Sequence, residues 1–228
     1  MQKIALLFEN SDFLVVDKPA GLNFHSEDEA GFVVQVKEQL NSPELYPLHR
    51  LDKMTSGLVL FGKTKESAQI FGKMFETQQV QKYYLAISLR KPKKKQGWIK
   101  GDMKSARRGS WMFAKTYDNP AVTQFHSIAL REGERGFLVK PHTGRTHQIR
   151  VALKSIGAPI AGDVRYAQSD EAKKEARGYL HAYALQFEYK GEAYSFIQKP
   201  REGERFLSER FCDTLTDRWQ KPWELFKK

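Results

Sequence analysis

An α+β fold is what this sequence predicts, and three observations carry that reading. Short apolar runs rich in Val, Ile, Phe and Tyr recur along the chain with turn residues between them, as strands do. Two segments instead show helical spacing behind a start signal. The two kinds of element are interspersed without regular βαβ alternation. The 228 residues are 40% hydrophobic and 12% aromatic, enough for a sizeable core and too apolar for a disordered chain.

In chain order, Ile4–Phe8 and Phe13–Val16 read as strands, the second stopped by a turn at Lys18-Pro19-Ala20-Gly21. Gly57–Lys63 is the next strand. A helix follows from Thr64, with Thr64 as N-cap, Glu66 in the first turn, and Ala68, Phe71, Met74 and Phe75 at helical spacing. Lys82–Ser88, Ala121–Leu130 and Gly136–Lys140 read as strands. A second helix is expected to begin near Arg145 and to end before Gly157. On it Ile149, Ala152, Leu153 and Ile156 share one face, and His147, Arg150 and Lys154 share the opposite, wet one. His181–Tyr189 and Ala193–Ile197 flank Lys190-Gly191 as a hairpin. Residues 201–228 read as a C-terminal extension of mixed charge, with Trp219 and Trp223 as anchors.

Several classes fall away on composition. One cysteine, Cys212, excludes a disulfide framework and a cysteine-based zinc site. Apolar runs of about five residues fall short of the roughly 18 that span a bilayer. Glu9 and Asp12 interrupt the apolar core that a signal peptide would need. A soluble, cytoplasmic protein without a membrane partner is expected.

Charge is unevenly spread. The formal net charge is +11, and Arg90–Lys115 holds ten bases against one acid, Asp102, while the rest of the chain holds 28 bases and 26 acids. With Trp98 and Trp111 nearby, that segment suits a polyanion with stackable bases; a solvated loop is the blander reading. Its candidate polyanion contacts are Lys93, Lys94, Lys95, Arg107 and Arg108. The turn Thr143-Gly144-Arg145-Thr146 before the second helix brings polar groups to a helix N-terminus, a natural anion site. That adds Arg145, His147 and Lys154.

The densest chemistry lies in His49-Arg50-Leu51-Asp52-Lys53-Met54-Thr55-Ser56-Gly57-Leu58. A carboxylate among three bases and two hydroxyls, placed in a cleft, is a candidate nucleophile or general base. A surface aspartate paired with Arg50 or Lys53 fits the same pattern.

These residues resemble the signature H-R-L-D-x-x-T-S-G-L of the RluA-type pseudouridine synthases. Thr143-Gly144-Arg145-Thr146-His147-Gln148-Ile149-Arg150-Val151 resembles that family's T-G-R-T-H-Q-I-R-V block, and Gly157–Tyr166 its G-H-P-I-x-G-D-x-x-Y block. Phe13–Leu22 is similar to its entry strand and turn. In order, the blocks cover about residues 8–200. The resemblance implies a pseudouridine synthase fold, a mixed, mainly antiparallel sheet flanked by helices around a central RNA-binding cleft. Residues 1–200 would form the catalytic domain, with a basic insertion at about 90–115. It implies Asp52 as the catalytic aspartate, Arg150 as its basic partner and, in the K-x-Y-x-A register of Lys82–Ala86, Tyr84 rather than Tyr83 as the active-site tyrosine. Arg50 is implied to fill the space left by a flipped nucleotide, with His49 beside it. No S4-type RNA-binding domain is expected before residue 8, so RNA contact falls to the catalytic domain, the basic segment and the extension. Two departures from the pattern are Ala158, where the family has His, and Leu180-His181-Ala182, which leads to Glu188-Tyr189-Lys190 rather than to His-Pro.

The implied reaction breaks an N-glycosidic bond and joins the same base to the sugar through carbon. It needs no redox change, metal or cofactor, and none is expected. Lifting a base from its stack costs a few kcal/mol; an arginine entering the gap can stack and bind phosphate. A tyrosine can stack on uracil and take part in proton transfer. Three routes are open to the carboxylate: attack at C1′, addition to C6 of the base, or promotion of a glycal. The expected partner is ribosomal or transfer RNA, with ribosomal RNA favoured, and a monomer is expected to act on it. A non-catalytic RNA-binding module would more naturally have lost Asp52, Tyr84 or Arg150. A DNA-binding reading lacks a helix-turn-helix or finger pattern, and the six histidines lack metal-ligand spacing.

Overall fold

The computed structural model describes residues 3–131 and 133–226. Along them run β1 (Ala5–Glu9), β2 (Phe13–Lys18), α1 (Phe32–Gln39), β3 (Tyr46–Pro47), β4 (Ser56–Gly62), α2 (Lys65–Glu76), β5 (Gln81–Ser88), β6 (Gln96–Gly101), β7 (Met103–Ser105), β8 (Trp111–Phe113), β9 (Ala121–Ala129), β10 (Arg135–Pro141), α3 (Gln148–Ser155), the single turn α4 (Ser169–Ala172), β11 (Leu180–Tyr189), β12 (Glu192–Ile197), α5 (Glu209–Asp217) and the single turn α6 (Pro222–Leu225).

The main sheet runs β1-β2-β4-β11-β5-β10-β9-β6, with β3 added to β4 and β12 to β11. Its pairs are antiparallel except β4 with β11, where Ser56 and Ala182 lie near the crossing through His181↔Ser56 and Ala182↔Gly57. Central strands are apolar on both faces: Leu85, Ala86, Ile87, Phe137, Leu138 and Val139 are all fully buried, as expected where helices or chain cover both sides. β12 shows the alternation of a half-wet strand instead. Lys190 and Gly191 both have positive φ, 50° and 80°, the two left-handed residues of a type I′ hairpin turn.

α2 starts where its cap predicts. Thr64 Oγ1 accepts the Ser67 N–H at 3.0 Å and Ser67 Oγ accepts the Thr64 N–H at 3.2 Å, a capping box closed by serine. Phe71 packs edge-on to Phe13 at 5.4 Å, tying α2 to the sheet.

α3 covers one sheet face through the hydrogen bond from Gln148 to Thr123 of β9. The C-terminal chain covers the other. Phe211, Leu215 and Trp219 are buried there, Phe211 lies against Gly136 of β10, and the Tyr183 hydroxyl donates to the Trp219 carbonyl at 3.2 Å. The apolar residues read from sequence as an extension thus join the core; residues 227 and 228 of that segment lie outside the described residues.

The basic segment divides in two. β6 pairs with β9 at the sheet edge, and β7 pairs with β8 as a separate hairpin whose tip carries Arg107 and Arg108. Short strands interrupted by glycine, in a run dominated by lysine, gave no periodic signal. α1, β3, α5 and α6 were equally unmarked in the sequence. No helix among the described residues is long and apolar enough to cross a membrane.

Behind the sheet crossing, His181 is buried. Its Nε2 faces only an acceptor, the Gln198 carbonyl at 2.7 Å, so Nε2 carries the proton. Nδ1 then accepts from the Ser56 hydroxyl at 2.7 Å, and Ser56 Oγ in turn accepts from Arg177 at 2.7 Å. Burial pushes the imidazole pKa down to about 3. An unfolded histidine takes a proton near 6.5. Between about 3 and 6.5 the unfolded chain therefore binds the extra proton, and this group's contribution to stability falls as pH falls through that window. Thermal melts should show Tm dropping between pH 6.5 and pH 4, with a shallower slope in His181→Gln.

Candidate active site

The segment from His49 to Thr55 crosses from β3 to β4 as a turn closed by the Thr55 N–H on the Asp52 carbonyl at 2.9 Å. Lys18, read from sequence as the start of a turn, is instead the last residue of β2 and is fully buried. Its ammonium donates to the carbonyls of Pro19 and Thr55, each at 3.0 Å, and of Lys53 at 3.4 Å. Burial, with Arg177 adding, pushes its pKa down to about 7. The Gly21 N–H takes the Lys53 carbonyl as well, at 2.8 Å. The far end of the turn runs into Gly57, whose φ is +108° and where a Cβ would sit 2.2 Å from the Ala182 carbonyl oxygen. Only glycine fits that crossing.

So fixed, Asp52 meets α3. Arg150 Nη1 donates to Asp52 Oδ2 at 2.8 Å. The rest of the guanidinium grips Asp163 in a bidentate pair, Nε to Oδ2 at 2.7 Å and Nη2 to Oδ1 at 2.9 Å. This corrects the expectation of a wet helix face: Arg150 is buried between two carboxylates. Burial opposes its charge, but Asp163 and Asp52 outweigh that and raise its pKa. Asp163 was missed although it stands in the third motif. The signal was stoichiometric, since a buried guanidinium has five N–H groups and one carboxylate cannot satisfy them.

α3 also begins later than expected, at Gln148. His147 caps it in a left-handed conformation, φ 56°. Its Nε2 lies 3.9 Å from Asp52 Oδ2 and its Nδ1 2.9 Å from the Tyr166 hydroxyl.

A cavity of about 720 Å³ opens over Asp52, lined among others by His49, Arg50, Tyr84, Arg145, His147 and Arg150. A second, of about 610 Å³, lies on the other side of the turn and shares Arg50, Asp52, His147 and Arg150 with it. β5 points Tyr84 into the first. Tyr83, one residue away, faces the opposite side of the sheet, where it packs against Phe226 at 5.8 Å and Trp223 at 6.5 Å. Burial, with the Asp52 charge adding, pushes the Tyr84 hydroxyl pKa up, so it keeps its proton at neutral pH. His49 braces the turn: Nε2 accepts the Leu60 N–H at 3.1 Å and the ring packs on Phe75. Burial and Lys82 hold it neutral, with a pKa of about 3.

The remaining basic candidates separate. Arg50 and Arg145 are exposed at the cavity mouth, and Arg145 donates to Asn119. Lys154 is exposed on α3, its ammonium 5.5 Å from the Tyr166 ring. The Arg107–Arg108 tip is held to the site by Arg165, which donates to the Arg108 carbonyl. Lys93, Lys94 and Lys95 stand apart, because the Lys93 N–H donates to the Ile156 carbonyl past the C-terminal end of α3.

The family model for RNA pseudouridylate synthase matches residues 12–155 of this sequence. The chain belongs to that family. The synthase is 41% identical over 222 residues to an uncharacterised RNA pseudouridine synthase of Haemophilus influenzae, covering 97% of this chain and 98% of that one. It is 30% identical to the ribosomal large subunit pseudouridine synthase D of Borreliella burgdorferi, over 90% of this chain and 68% of that one. With the tRNA pseudouridine synthase C of Pasteurella multocida it shares 34% identity, over 72% and 74%. The solved structure of human RNA pseudouridylate synthase domain containing 1 superposes with a TM-score of 0.73 at 23% identity, covering 87% of this chain and 84% of that one, and bears on the fold. The synthase is thus an isomerase acting on RNA, of the RluA type.

The buried Lys18 ammonium is the stay of the turn that carries Asp52. Lys18→Met takes its donors from the Pro19, Lys53 and Thr55 carbonyls, of which Lys53 keeps the Gly21 N–H, a loss of about 1–3 kcal/mol. Chemical denaturation should register that loss, and single-turnover assays a slower reaction as Asp52 loosens.

Proposed function

We propose that the synthase converts uridine to pseudouridine at specific positions of structured ribosomal RNA, after flipping the target nucleotide into the cavity over Asp52. One observation carries the reading: Asp52, Tyr84 and Arg150 converge on a single cavity with the carboxylate held 2.8 Å from the guanidinium. Asp52 is the catalytic carboxylate. Arg150 keeps it paired and aimed. Tyr84 supplies a ring to stack on uracil and a protonated hydroxyl for proton transfer. In the net reaction the C1′–N1 bond breaks, the C1′–C5 bond forms, C5 gives up its proton and N1 gains one. Arg50, exposed between the two cavities, enters the gap in the stack, and Arg145 and Lys154 contact the flanking backbone. The name of the Borreliella relative favours ribosomal RNA; that of the Pasteurella relative makes transfer RNA the alternative outcome.

Pseudouridine mapping of total RNA from cells lacking the protein tests the substrate. Loss of a ribosomal position, restored by the wild-type gene and not by Asp52→Asn, is expected. Loss confined to transfer RNA would move the substrate class, and an unchanged map would reject the function. In vitro, Asp52→Asn should abolish turnover while keeping the fold and most RNA affinity, which comes from phosphate contacts; activity within tenfold of wild type would remove Asp52 from its role.

Tyr84→Phe should bind RNA normally and lose catalysis, whereas Tyr83→Phe should turn over like wild type. A single-turnover comparison separates chemistry from product release.

Replacing Lys91, Lys93, Lys94 and Lys95, all exposed, by neutral residues should weaken RNA binding and flatten its dependence on salt. Tm should hardly move. An unchanged salt slope would mark these lysines as a solvated loop.

A further inference from the structure

His147 stands beside Asp52 but takes no part in the Arg150 pair. Its backbone is left-handed, φ 56°, a conformation that L residues adopt when surrounding contacts impose it, often at functional sites. Its ring is contacted by Tyr166. The Tyr166 hydroxyl oxygen accepts the Trp111 backbone N–H at 2.8 Å and lies 2.9 Å from His147 Nδ1. A phenol has one proton. With the Trp111 N–H directed at the oxygen, His147 Nδ1 is the acceptor within reach of the hydroxyl proton. With the hydroxyl as donor, Nδ1 accepts, and the neutral ring carries its own proton on Nε2, the nitrogen that faces Asp52 Oδ2 at 3.9 Å. That last separation is longer than a hydrogen bond; it sets a partial positive charge in front of the carboxylate. Burial, then the neighbouring Arg150 cation, lower the His147 pKa and favour the neutral ring.

The Tyr166 ring is engaged as well. The Arg150 guanidinium lies 5.0 Å from its centroid, and the His147 ring meets it edge-on at 5.6 Å and 82°. One side chain thus orders both basic neighbours of Asp52, and its hydroxyl is tied to Trp111, the first residue of β8. A second line runs from the same hairpin: Arg165 donates its side chain to the Arg108 carbonyl and its backbone N–H to Asp163 Oδ1 at 3.1 Å.

We propose that Tyr166 is a positioning residue of the synthase, whose hydroxyl aims the His147 Nε2–H at Asp52 and makes that aim depend on the seating of the basic β7–β8 hairpin. RNA phosphates drawn to Arg107 and Arg108 act on the element that holds Tyr166, so substrate engagement and the geometry around Asp52 are joined through a hydroxyl. The proposal rests on Asp52 being the catalytic carboxylate.

Tyr166→Phe keeps the ring and removes only the hydroxyl. With total RNA from cells lacking the protein as substrate, its single-turnover rate at saturation should fall roughly tenfold, as positional errors at an active site do, while RNA affinity stays at the wild-type level. His147→Ala should also slow the reaction, and the double variant should be no slower than His147→Ala alone, because the hydroxyl acts through the imidazole. A wild-type rate in Tyr166→Phe, a loss of affinity at unchanged rate, or multiplying effects in the double variant would overturn the proposal. Imidazole ¹⁵N spectra provide a readout independent of turnover. His147, assigned from His147→Ala, should be the neutral Nε2–H tautomer at pH 7 in the wild type and lose that preference in Tyr166→Phe. An Nδ1–H tautomer in the wild type would equally overturn it. A wild-type protein that forms no pseudouridine in any RNA would reject the functional reading, and the spectra would still decide the relay.

Discussion

One guanidinium serving two carboxylates is the constraint on which the site depends. Arg150 gives two of its donors to Asp163, which has no solvent exposure, and one to Asp52, whose side chain keeps 22% of its accessible surface. Removing three charges from most of their water is tolerable only while all remain paired; stripping one partner from a buried pair costs roughly 3–5 kcal/mol. The unequal burial divides the labour. Asp163 anchors Arg150 from below, and Arg150 delivers a fixed positive charge to a carboxylate that solvent still reaches.

The rest of the scaffold makes that geometry stiff. The turn bearing Asp52 hangs between β3 and β4, and loops on a surface are ordinarily mobile. Here it is held from beneath by the Lys18 ammonium on two of its carbonyls, at Lys53 and Thr55. It is held behind by the crossing of β4 and β11 and the Arg177–Ser56–His181–Gln198 chain. The crossing admits no side chain at Gly57, and the chain leaves the buried serine and histidine with partners. Polar groups supported on rigid elements in this way need little reorganisation when a ligand arrives.

Charge acts at two distances. The +9 excess of the Arg90–Lys115 segment lies partly on the hairpin beside Tyr166 and partly on the loop past the far end of α3, a helix of eight residues and thus about 12 Å long. A field spread over that length attracts a polyanion before any base is recognised. The aromatic residues sort by strand face: Tyr84 is in the cavity, and Tyr83 is in the core with Trp223 and Phe226.

The sequence by itself determined eight strands of the main sheet, the α2 cap and the hairpin at Lys190-Gly191, because each follows from local period or turn chemistry; Tyr84 was set apart from Tyr83 only by the K-x-Y-x-A register of the resemblance. It also marked Asp52 and Arg150 as partners, through motifs rather than through periodicity. Periodicity put Arg150 on a wet face, since helical spacing records which residues share a side and not what lies opposite. The tertiary structure decided the rest: Asp163 beneath Arg150, Lys18 buried under the turn, β6 drawn into the sheet and the C-terminal chain packed into the core. The physical reason is separation along the chain. Arg150 and Asp52 are 98 residues apart, and Lys18 and Thr55 are 37 apart. A buried charge is stable only beside partners that the fold brings from such distances, and no local pattern records where they will come from.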